Sequence, residues 1–489
     1  MDFLMRDTLN QIYQKGVHLW IANDQLGVRA PQGILTPNLK IWLQEHKSEI
    51  IVWLKDNPNI SNQNCINLDL EATLAPDIYP QEKISPVEFL PKTILLTGAT
   101  GFLGAFLLRD ILAQTQADIY CLVRAKDRQS GAKRLQENLE YYGIWQKEFK
   151  ARIIPLLGDL AQPQFGLSSE EYQALAREID TIYHSAAFLN WVYPYSALKG
   201  SNVLGTQEVL RLACCHKVKP VHYVSTVAVF ESTAYGEQIV AEADRPTHSQ
   251  GIYLGYSQSK WVAERLVLEA SDRGLPVCIY RAPFISGDSH TGSWFTDDFI
   301  CRLFKGCLQM GTIPDLDYLV EMSPVDYISQ AIIYLSAQPQ FSGRTFHLMN
   351  PHPFHLSQLG NWLNNFGYAV KSIPYSEWLA QLETIPLQEN NPLKSLLPFF
   401  SKSWLEPKLT LPELYQQNFK PRFNCQATLA ALSESDIVCP PLNSTLLNTY
   451  FKYFINTKFL PPPPDTKVHL DLNFLTKHQN QSSLKPAVL

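Results

Sequence analysis

The chain has 489 residues, of which 45% are hydrophobic and 18% are charged, and its formal net charge is −5. At about 100–200 residues per domain, this length predicts two to four globular units. A weakly acidic chain without a block of like charges lacks the electrostatic field that nucleic-acid binding requires, so the sequence excludes nucleic acid as a partner.

The cysteines and the N-terminus predict a cytoplasmic protein. The nine cysteines include no C-x-x-C pair and no His-rich cluster, so neither a metal site nor a disulfide framework is predicted. The first residues, MDFLMRDTLNQIYQKG, have acids and amides where a signal peptide needs a basic region and an apolar core. No later run reaches the roughly eighteen apolar residues of a membrane span.

Residues 1–56 are predicted to form a small α+β unit of helix, hairpin and helix. Apolar residues at helical spacing predict a helix over 3–15, and HLWI (18–21) and LGVRA (26–30) predict two short strands around a turn. Thr36 suits an N-cap and Pro37 the first helical position, so one helix is predicted from there to about residue 55. The apolar face of this helix is predicted to carry Leu39, Trp42, Leu43, His46, Ile50, Trp53 and Leu54.

The rest of the chain is predicted to divide into a linker, a main domain and a lobe. Residues 57–91 are rich in Asn and Pro and show no periodicity, which predicts a linker. From 92 to 345, apolar runs alternate with helical stretches, which predicts a Rossmann-like, doubly wound parallel α/β sheet. The predicted strands lie in KTILLTGAT, DIYCLVRA, RIIPLLGDL, DTIYHSAA, VHYVSTVAVF and LPVCIYRAPFISG. Residues 346–489 are predicted to form a smaller, mixed substrate-binding lobe and a tail.

A glycine-rich turn follows the first strand of the main domain. In TGATGFLG, Gly98, Gly101 and Gly104 end that strand and begin a helix. Glycines there permit a tight turn and the close approach of a pyrophosphate, which backbone N–H groups and the helix dipole bind. A purely structural turn is the alternative that the glycines alone leave open.

The G-x-x-G-x-x-G spacing resembles that of the extended short-chain dehydrogenase/reductase superfamily. Gly158-Asp159-Leu160 is similar to the adenine-contacting turn of the same superfamily. The resemblance implies a cofactor site that includes, besides the three glycines, Thr100, Phe102, Leu103, Asp159, Leu160, Ala186, Ala187, Tyr256, Lys260, Pro283 and Ile285.

Two arginines predict which nicotinamide cofactor the domain binds. Superfamily members that prefer NAD have a carboxylate at the end of the second strand, whereas this chain has Arg124 there and Arg134 one helix onward. A guanidinium suits the 2′-phosphate of the adenosine ribose, so NADPH is the predicted cofactor. The alternative is a solvated arginine at the end of a strand.

Candidate catalytic residues follow two later strands. Tyr256 and Lys260 in YSQSK are four residues apart and therefore share one face of a helix. The Lys260 ammonium is expected to lower the pKa of the phenol and to hold the nicotinamide ribose, while Tyr256 donates a proton to the substrate oxygen.

The hydroxyl that polarises the substrate carbonyl is predicted to belong to Thr226 in VSTVAVF, with Ser225 as the alternative. Either hydroxyl could instead bond to the nearby backbone. Asn202 in NVLGT matches a superfamily position that serves helix geometry or a proton relay.

Nine blocks occur in one order across residues 93–350: TGATGFLG, LVRAKD, GDL, HSAAFLNW, NVLGT, VSTVAVF, YSQSKWVAE, YRAPFISGDSHTG and SPVDYI. Together they resemble the thioester reductase branch, the terminal reductase domain of nonribosomal peptide synthetases and carboxylic acid reductases. This resemblance implies that Thr226, Tyr256 and Lys260 catalyse NADPH-dependent reduction of an acyl or peptidyl thioester on the phosphopantetheine arm of a carrier protein. The implied product is an aldehyde, which some relatives reduce further to an alcohol.

Residues 1–55 resemble a second family, the TubC-type docking domain of such synthetases, through GVHLW, RAPQGILTP and HKSEIIVWL. That resemblance implies that the N-terminal unit binds an upstream synthetase subunit. A stabilising cap without a partner is the alternative.

Two other functions stay open on the sequence alone. One is an extended-family nucleotide-sugar epimerase or dehydratase, and the other is a non-catalytic, NADP-sensing protein that recruits a partner. The complete set of Thr226, Tyr256 and Lys260 disfavours the sensor, because a sensor needs no proton donor. No block resembles a carrier, adenylation or condensation domain, so neither the thioester donor nor its acyl chain is specified.

Overall fold

The computed structural model describes residues 8–9, 17–22, 25–29, 36–56, 66–80, 91–386, 390–403, 409–417 and 420–464. The chain separates into two compact units, residues 1–73 and 74–489. Within these ranges, no helix is both long and apolar enough to cross a lipid bilayer.

The first unit contains the predicted hairpin. Strands β1 (His18–Ala22) and β2 (Gln25–Arg29) pair antiparallel. Helices α1 (Pro37–Glu45) and α2 (Lys47–Asp56) follow, and a short helix, α3 (Leu68–Glu71), comes later. The core consists of Leu9, Val17, Leu19, Leu43, Ile50 and Leu54. Of the helix predicted over 3–15, only residues 8–9 are described, and they are helical.

The single helix predicted from Pro37 to about residue 55 is divided at His46. Thr36 caps the first helix as predicted, because its Oγ1 accepts a hydrogen bond from the Leu39 N–H at 3.3 Å. His46 leaves helical geometry at ψ 11°, and its Nδ1 lies 2.9 Å from the carbonyl oxygen of Trp42. The apolar periodicity continues across this residue, so the pattern of apolar residues could not reveal the break.

The second unit is built on a seven-stranded parallel sheet, as the alternation of strands and helices predicted. Its spatial order is β14 (Thr345–His347), β9 (Val277–Ala282), β7 (Val221–Thr226), β6 (Thr181–His184), β3 (Thr93–Thr97), β4 (Asp118–Val123) and β5 (Ile153–Leu157). The direction of strand addition reverses between β3 and β6. Ligands of open α/β sheets bind outside the carboxyl ends of the strands at such a reversal.

Helices cover both faces of the sheet. One layer contains α4 (Phe102–Gln114), α5 (Arg128–Tyr141) and α11 (Val325–Ser336), which share one apolar cluster with the sheet. The other layer contains α6 (Ser169–Glu178), α7 (Tyr195–Lys199), α8 (Gly205–Cys214) and α9 (Gly255–Asp272). Strand β14 was not predicted, because three residues are too few to show a pattern.

The lobe is not a single block after residue 345, as the composition predicted. Its apolar core takes residues from Leu254 to Leu460, including many that precede β14. Its helices are α10 (Phe299–Met310), α12 (Leu359–Phe366), α13 (Tyr375–Thr384), α14 (Leu397–Ser401), α15 (Leu411–Gln416) and α17 (Ser444–Asn456). Short strands complete the second unit: β8 (Ile239–Val240), β10 (Phe284–Ser286), β11 (Thr312–Asp315), β12 (Leu319–Val320), β13 (Met322–Pro324), β15 (Phe354–His355), β16 (Lys371–Pro374) and β17 (Arg422–Phe423). Helix α16 (Gln426–Leu432) returns to the main domain, where Leu432 joins the core beside α11.

Part of the predicted linker is bound to the second unit. Glu269 of α9 accepts a hydrogen bond from the Leu74 N–H at 2.8 Å. Arg273 donates to the carbonyl oxygens of Leu74, Ala75 and Ile78 at 2.7–2.9 Å. Residues 74–80 are irregular, and long side chains fix them through their backbone groups, so they carry no periodic pattern. Residues 57–65 and 81–90 lie outside the described ranges.

Candidate active site

A cavity of about 930 Å³ opens among the loops that follow the strands of the second unit. Every residue that the sequence predicted for catalysis or cofactor binding lines this cavity: Gly98, Thr100, Gly101, Phe102, Leu103, Gly104, Arg124, Arg134, Asp159, Leu160, Ala186, Ala187, Thr226, Tyr256, Lys260, Pro283 and Ile285. The fold therefore brings together residues that are up to 187 positions apart in the sequence, from Gly98 to Ile285.

The glycine-rich turn has the geometry of an anion-binding loop. Gly98 has a positive φ of 81°, and a Cβ at Gly104 would collide with the Gly98 carbonyl group. Helix α4 begins after Gly101, and no side chain caps its N-terminus. The Asn138 side chain donates to the carbonyl oxygens of Ala99 and Gly101 at 3.1 and 3.2 Å, which fixes the turn from behind. The uncapped N–H groups and the close helix packing fit the pyrophosphate of a dinucleotide.

Two guanidinium groups lie at the end of β4. Arg134 donates a hydrogen bond to the carbonyl oxygen of Arg124 at 2.9 Å. Burial and the charge of Arg124 lower the pKa of Arg134. This wall of the cavity therefore concentrates positive charge, which a phosphate dianion would compensate.

A buried chain of hydrogen bonds supports the base of the cavity. The two ring nitrogens of His184 lie 2.7 Å from the Thr97 hydroxyl and 3.0 Å from the Thr206 hydroxyl. Burial lowers the pKa of His184 to about 3, so the imidazole is neutral. The Ala186 N–H donates to Thr97 at 3.2 Å, which ties the loop after β6 to strand β3.

Asn202 fixes the same loop to helix α9. It lies in a single π-helical turn, Gly200–Leu204. Its amide accepts from the Phe188 N–H at 2.6 Å and donates to the Phe188 carbonyl at 3.0 Å and to Ser259 Oγ at 2.9 Å. Of the two roles that the sequence left open, these contacts fit the one in local geometry.

The two candidate hydroxyls at the end of β7 have different environments. Ser225 donates to Glu264 at 2.5 Å, and Glu264 forms a fully buried ion pair with Arg281 at 2.7 Å. Thr226 Oγ1 accepts from the Ala228 N–H at 3.1 Å, and no described group accepts its proton. The Thr226 hydroxyl is thus able to donate to a ligand in the cavity, while the Ser225 proton is engaged in a buried network.

Tyr256 and Lys260 both line the cavity, but Lys260 does not act on Tyr256 as the sequence predicted. Its Nζ donates to the hydroxyl of Tyr223 at 2.7 Å and to the carbonyl oxygen of Val224 at 2.9 Å. Burial lowers the pKa of Lys260 to about 7. Burial, and next the charge of Glu231, raise the pKa of Tyr256 instead of lowering it. The expectation was wrong because helical spacing shows a shared face but not which partner the ammonium finds there.

The sequence reasoning missed a polar cluster beside Tyr256. Glu231 accepts hydrogen bonds from Ser257 Oγ and, at 3.1 Å, from the Tyr415 hydroxyl. Lys420 donates to Glu321 at 2.6 Å, and Glu231, Glu321 and Lys420 line the cavity. Glu231 directly follows the VSTVAVF block and could have been found there, whereas nothing in the sequence relates Tyr415 or Lys420 to a site so far away.

An aromatic wall connects Tyr256 to the lobe. The Trp191 ring lies 6.0 Å from that of Tyr256, 5.5 Å from Phe284 and 5.3 Å from Phe299. Phe299 in turn contacts Phe399 at 4.8 Å. Trp191 belongs to the HSAAFLNW block, to which the sequence assigned no role.

The fold and this cavity define a Rossmann-type oxidoreductase with a nicotinamide cofactor site. Residues 96–332 match a family model described as male sterility protein, an NAD-binding family, and residues 6–56 match the TubC N-terminal docking domain. The sequence-based interpretation of both regions is thus confirmed.

Solved and curated relatives identify the family more narrowly. The crystal structure of the terminal R domain from the myxalamid PKS-NRPS biosynthetic pathway is 40% identical, with a TM-score of 0.76 over 81% of this chain and 99% of that one. The chain belongs to this family of terminal reductase domains.

Two curated relatives are much longer than the matched region. A linear gramicidin synthase of Brevibacillus parabrevis is 39% identical over 81% of this chain, and the L-2-aminoadipate reductase large subunit of Penicillium chrysogenum is 34% identical over 79%. The matches span 8% and 29% of those proteins.

Proposed function

We propose that this protein uses NADPH to release an acyl or peptidyl chain from a carrier protein as an aldehyde, by reducing the thioester that joins the chain to the phosphopantetheine arm. The observation that carries the proposal is the cavity in which Thr226, Tyr256 and Lys260 meet the glycine-rich turn. Membership of the terminal reductase family supports the same reaction.

NADPH is the proposed form of the cofactor. The turn from Gly98 to Gly104 and the uncapped start of α4 would hold its pyrophosphate. Arg124 and Arg134 would bind the 2′-phosphate, since both line the cavity at the end of β4. When bound, the cofactor supplies the hydride.

Thr226 and Tyr256 are the proposed donors to the thioester carbonyl oxygen. Both hydroxyls line the cavity, and within the part of the chain that the structure describes neither proton has an acceptor. Hydrogen bonds to that oxygen stabilise the negative charge that develops on it, which is the largest single effect in many acyl-transfer sites. Because the pKa of Tyr256 is raised, the phenol stays protonated near neutral pH and can supply the proton that the departing thiolate takes up.

Lys260 would bind the ribose next to the nicotinamide. Its Nζ carries three protons as an ammonium, and Tyr223 and Val224 accept two of them. The third is available to a ligand in the cavity that Lys260 lines.

The proposed partners are the carrier protein and an upstream synthetase subunit that binds residues 1–56, and the proposed location is the cytoplasm. The match to the TubC N-terminal docking domain supports the second partner.

The test is an assay of octanoyl-carrier protein with NADPH or NADH, in which the product is trapped as a hydrazone. We expect NADPH-dependent aldehyde and one free phosphopantetheine thiol per chain released. Octanoic acid as the only product would contradict a reductive release.

A further inference from the structure

A second, smaller cavity of about 40 Å³ lies inside the lobe. Side chains from four elements enclose it: Leu303 and Phe304 of α10, Val320 and Met322 of the β12–β13 region, Leu359 of α12 and Leu447 of α17. These six belong to the main apolar core of the lobe and are buried. Such a cavity favours an apolar ligand group, because only dispersion contacts and exclusion from water are available there.

The two cavities share a wall. Phe284, Phe299, Glu321 and Lys420 line both of them. Phe284 and Phe299 stack on each other at 6.0 Å, and Trp191 lies between this pair and Tyr256. An acyl chain whose carbonyl group bonds to Tyr256 therefore has an aromatic path from the reacting carbon toward the lobe.

The charged groups at this shared wall are already paired. Lys420 lies 2.6 Å from Glu321, and both side chains are mostly buried, at 22% and 15% exposure. Glu231 is bonded to Ser257 and Tyr415. A ligand that carried its own charge past this wall would find no free counter-ion among these described groups, and an unpaired buried charge is strongly disfavoured.

We propose that the smaller cavity is the subsite for the end of the acyl chain, and that it selects thioesters whose chains end in an uncharged, apolar group. The inference rests on the proposed function for its ligand and goes beyond it in naming the class of chain. The cavity has room for on the order of three water-sized groups, so it takes the last few carbon atoms.

The test uses S-alkyl pantetheine thioethers, which carry the chain but cannot be reduced. Their dissociation constants are measured by calorimetry on the full chain with NADP⁺ present, with alkyl groups of increasing length. In the wild type, each methylene that enters the subsite should tighten binding about fourfold, up to the length at which the cavity is full. A thioether of that length ending in a carboxylate should bind at least about tenfold more weakly.

Two leucine variants test the position of the subsite. Leu303→Ala enlarges the smaller cavity, and it should move the length of tightest binding to chains roughly two or three carbons longer. Leu363→Ala removes the same atoms from the same apolar core but lines neither cavity, and it should leave that length unchanged.

Binding that does not depend on chain length in the wild type would overturn the subsite, and this arm needs no variant to fold. An equal shift in Leu303→Ala and Leu363→Ala would overturn its location. Parallel assays with acyl-pantetheine thioesters separate the two proposals. Length-dependent thioether binding without any reduction would leave the subsite standing and remove the proposed function, whereas reduction at one rate for all lengths would do the opposite.

Discussion

At the scale of single residues, the site depends on how Lys260 is held. Its Nζ bonds to Tyr223 and Val224, and burial brings its pKa to about 7. The ammonium form is present below this pKa and is lost as the pH rises through it. If the ammonium binds the cofactor, kcat/KM should fall above about pH 7.

The first prediction concerns Tyr223, whose hydroxyl accepts a proton from Lys260. Tyr223→Phe removes a charge-assisted hydrogen bond that favours the ammonium, so the alkaline decline in kcat/KM should move to lower pH. Tyr183→Phe is the matched control, because it removes a tyrosine hydroxyl from the neighbouring strand, where it bonds to Ser336 at 2.7 Å and not to the site. Identical pH profiles for wild type and Tyr223→Phe would show that Tyr223 does not influence the charge of Lys260.

The second prediction concerns the cofactor 2′-phosphate. Arg124→Ala should lower the NADPH-to-NADH ratio of kcat/KM by about ten- to a hundredfold, because a hydrogen bond to a charged group contributes about 1.5–3 kcal/mol. Arg134→Ala is the comparison, since Arg134 bonds to the Arg124 carbonyl and shares the same wall. An unchanged ratio in Arg124→Ala together with a reduced ratio in Arg134→Ala would transfer the role to Arg134.

At the scale of elements, the turn between β3 and α4 has the tightest packing at the site. The third prediction is that Gly104→Ala destabilises the fold by about 1–3 kcal/mol or more, because its methyl group would overlap the Gly98 carbonyl. Gly101→Ala should cost less, since its methyl group would meet only the Gly98 oxygen, at 3.3 Å. Chemical denaturation of both variants measures the difference, and equal stability would contradict the packing described here.

The elements also show what the sequence can predict. Strands β3 to β7 and β9 were predicted because long apolar runs alternate with helical stretches, and Tyr256 and Lys260 because a helix gives their spacing a meaning. The break at His46 and the strand β14 are local features of one and three residues, too short to show in a pattern. Glu231, Tyr415 and Lys420 meet only through tertiary packing, and the partner of Lys260 depends on the neighbouring strand.

At the scale of the whole molecule, the chain joins a docking domain to a terminal reductase domain. The fourth prediction is that deletion of residues 1–58 slows reduction of the acyl chain on the cognate synthetase, while the rate with a soluble short-chain thioester stays the same. The deletion leaves residues 74–80 and their bonds to Glu269 and Arg273 in place. An equal loss of both activities would show that the N-terminal unit stabilises the reductase and that the docking hypothesis is wrong.

The central claim is that this cavity reduces thioesters with Tyr256 as the proton donor. The most direct test measures aldehyde release from an acyl-carrier protein by wild type, Tyr256→Phe and Lys260→Ala, with NADPH binding and thermal unfolding measured in parallel. We predict that both variants stay folded, that Tyr256→Phe still binds NADPH, and that each variant is at least about a hundredfold slower, the scale of lost acid–base catalysis. Aldehyde release by Tyr256→Phe at close to the wild-type rate would contradict the claim.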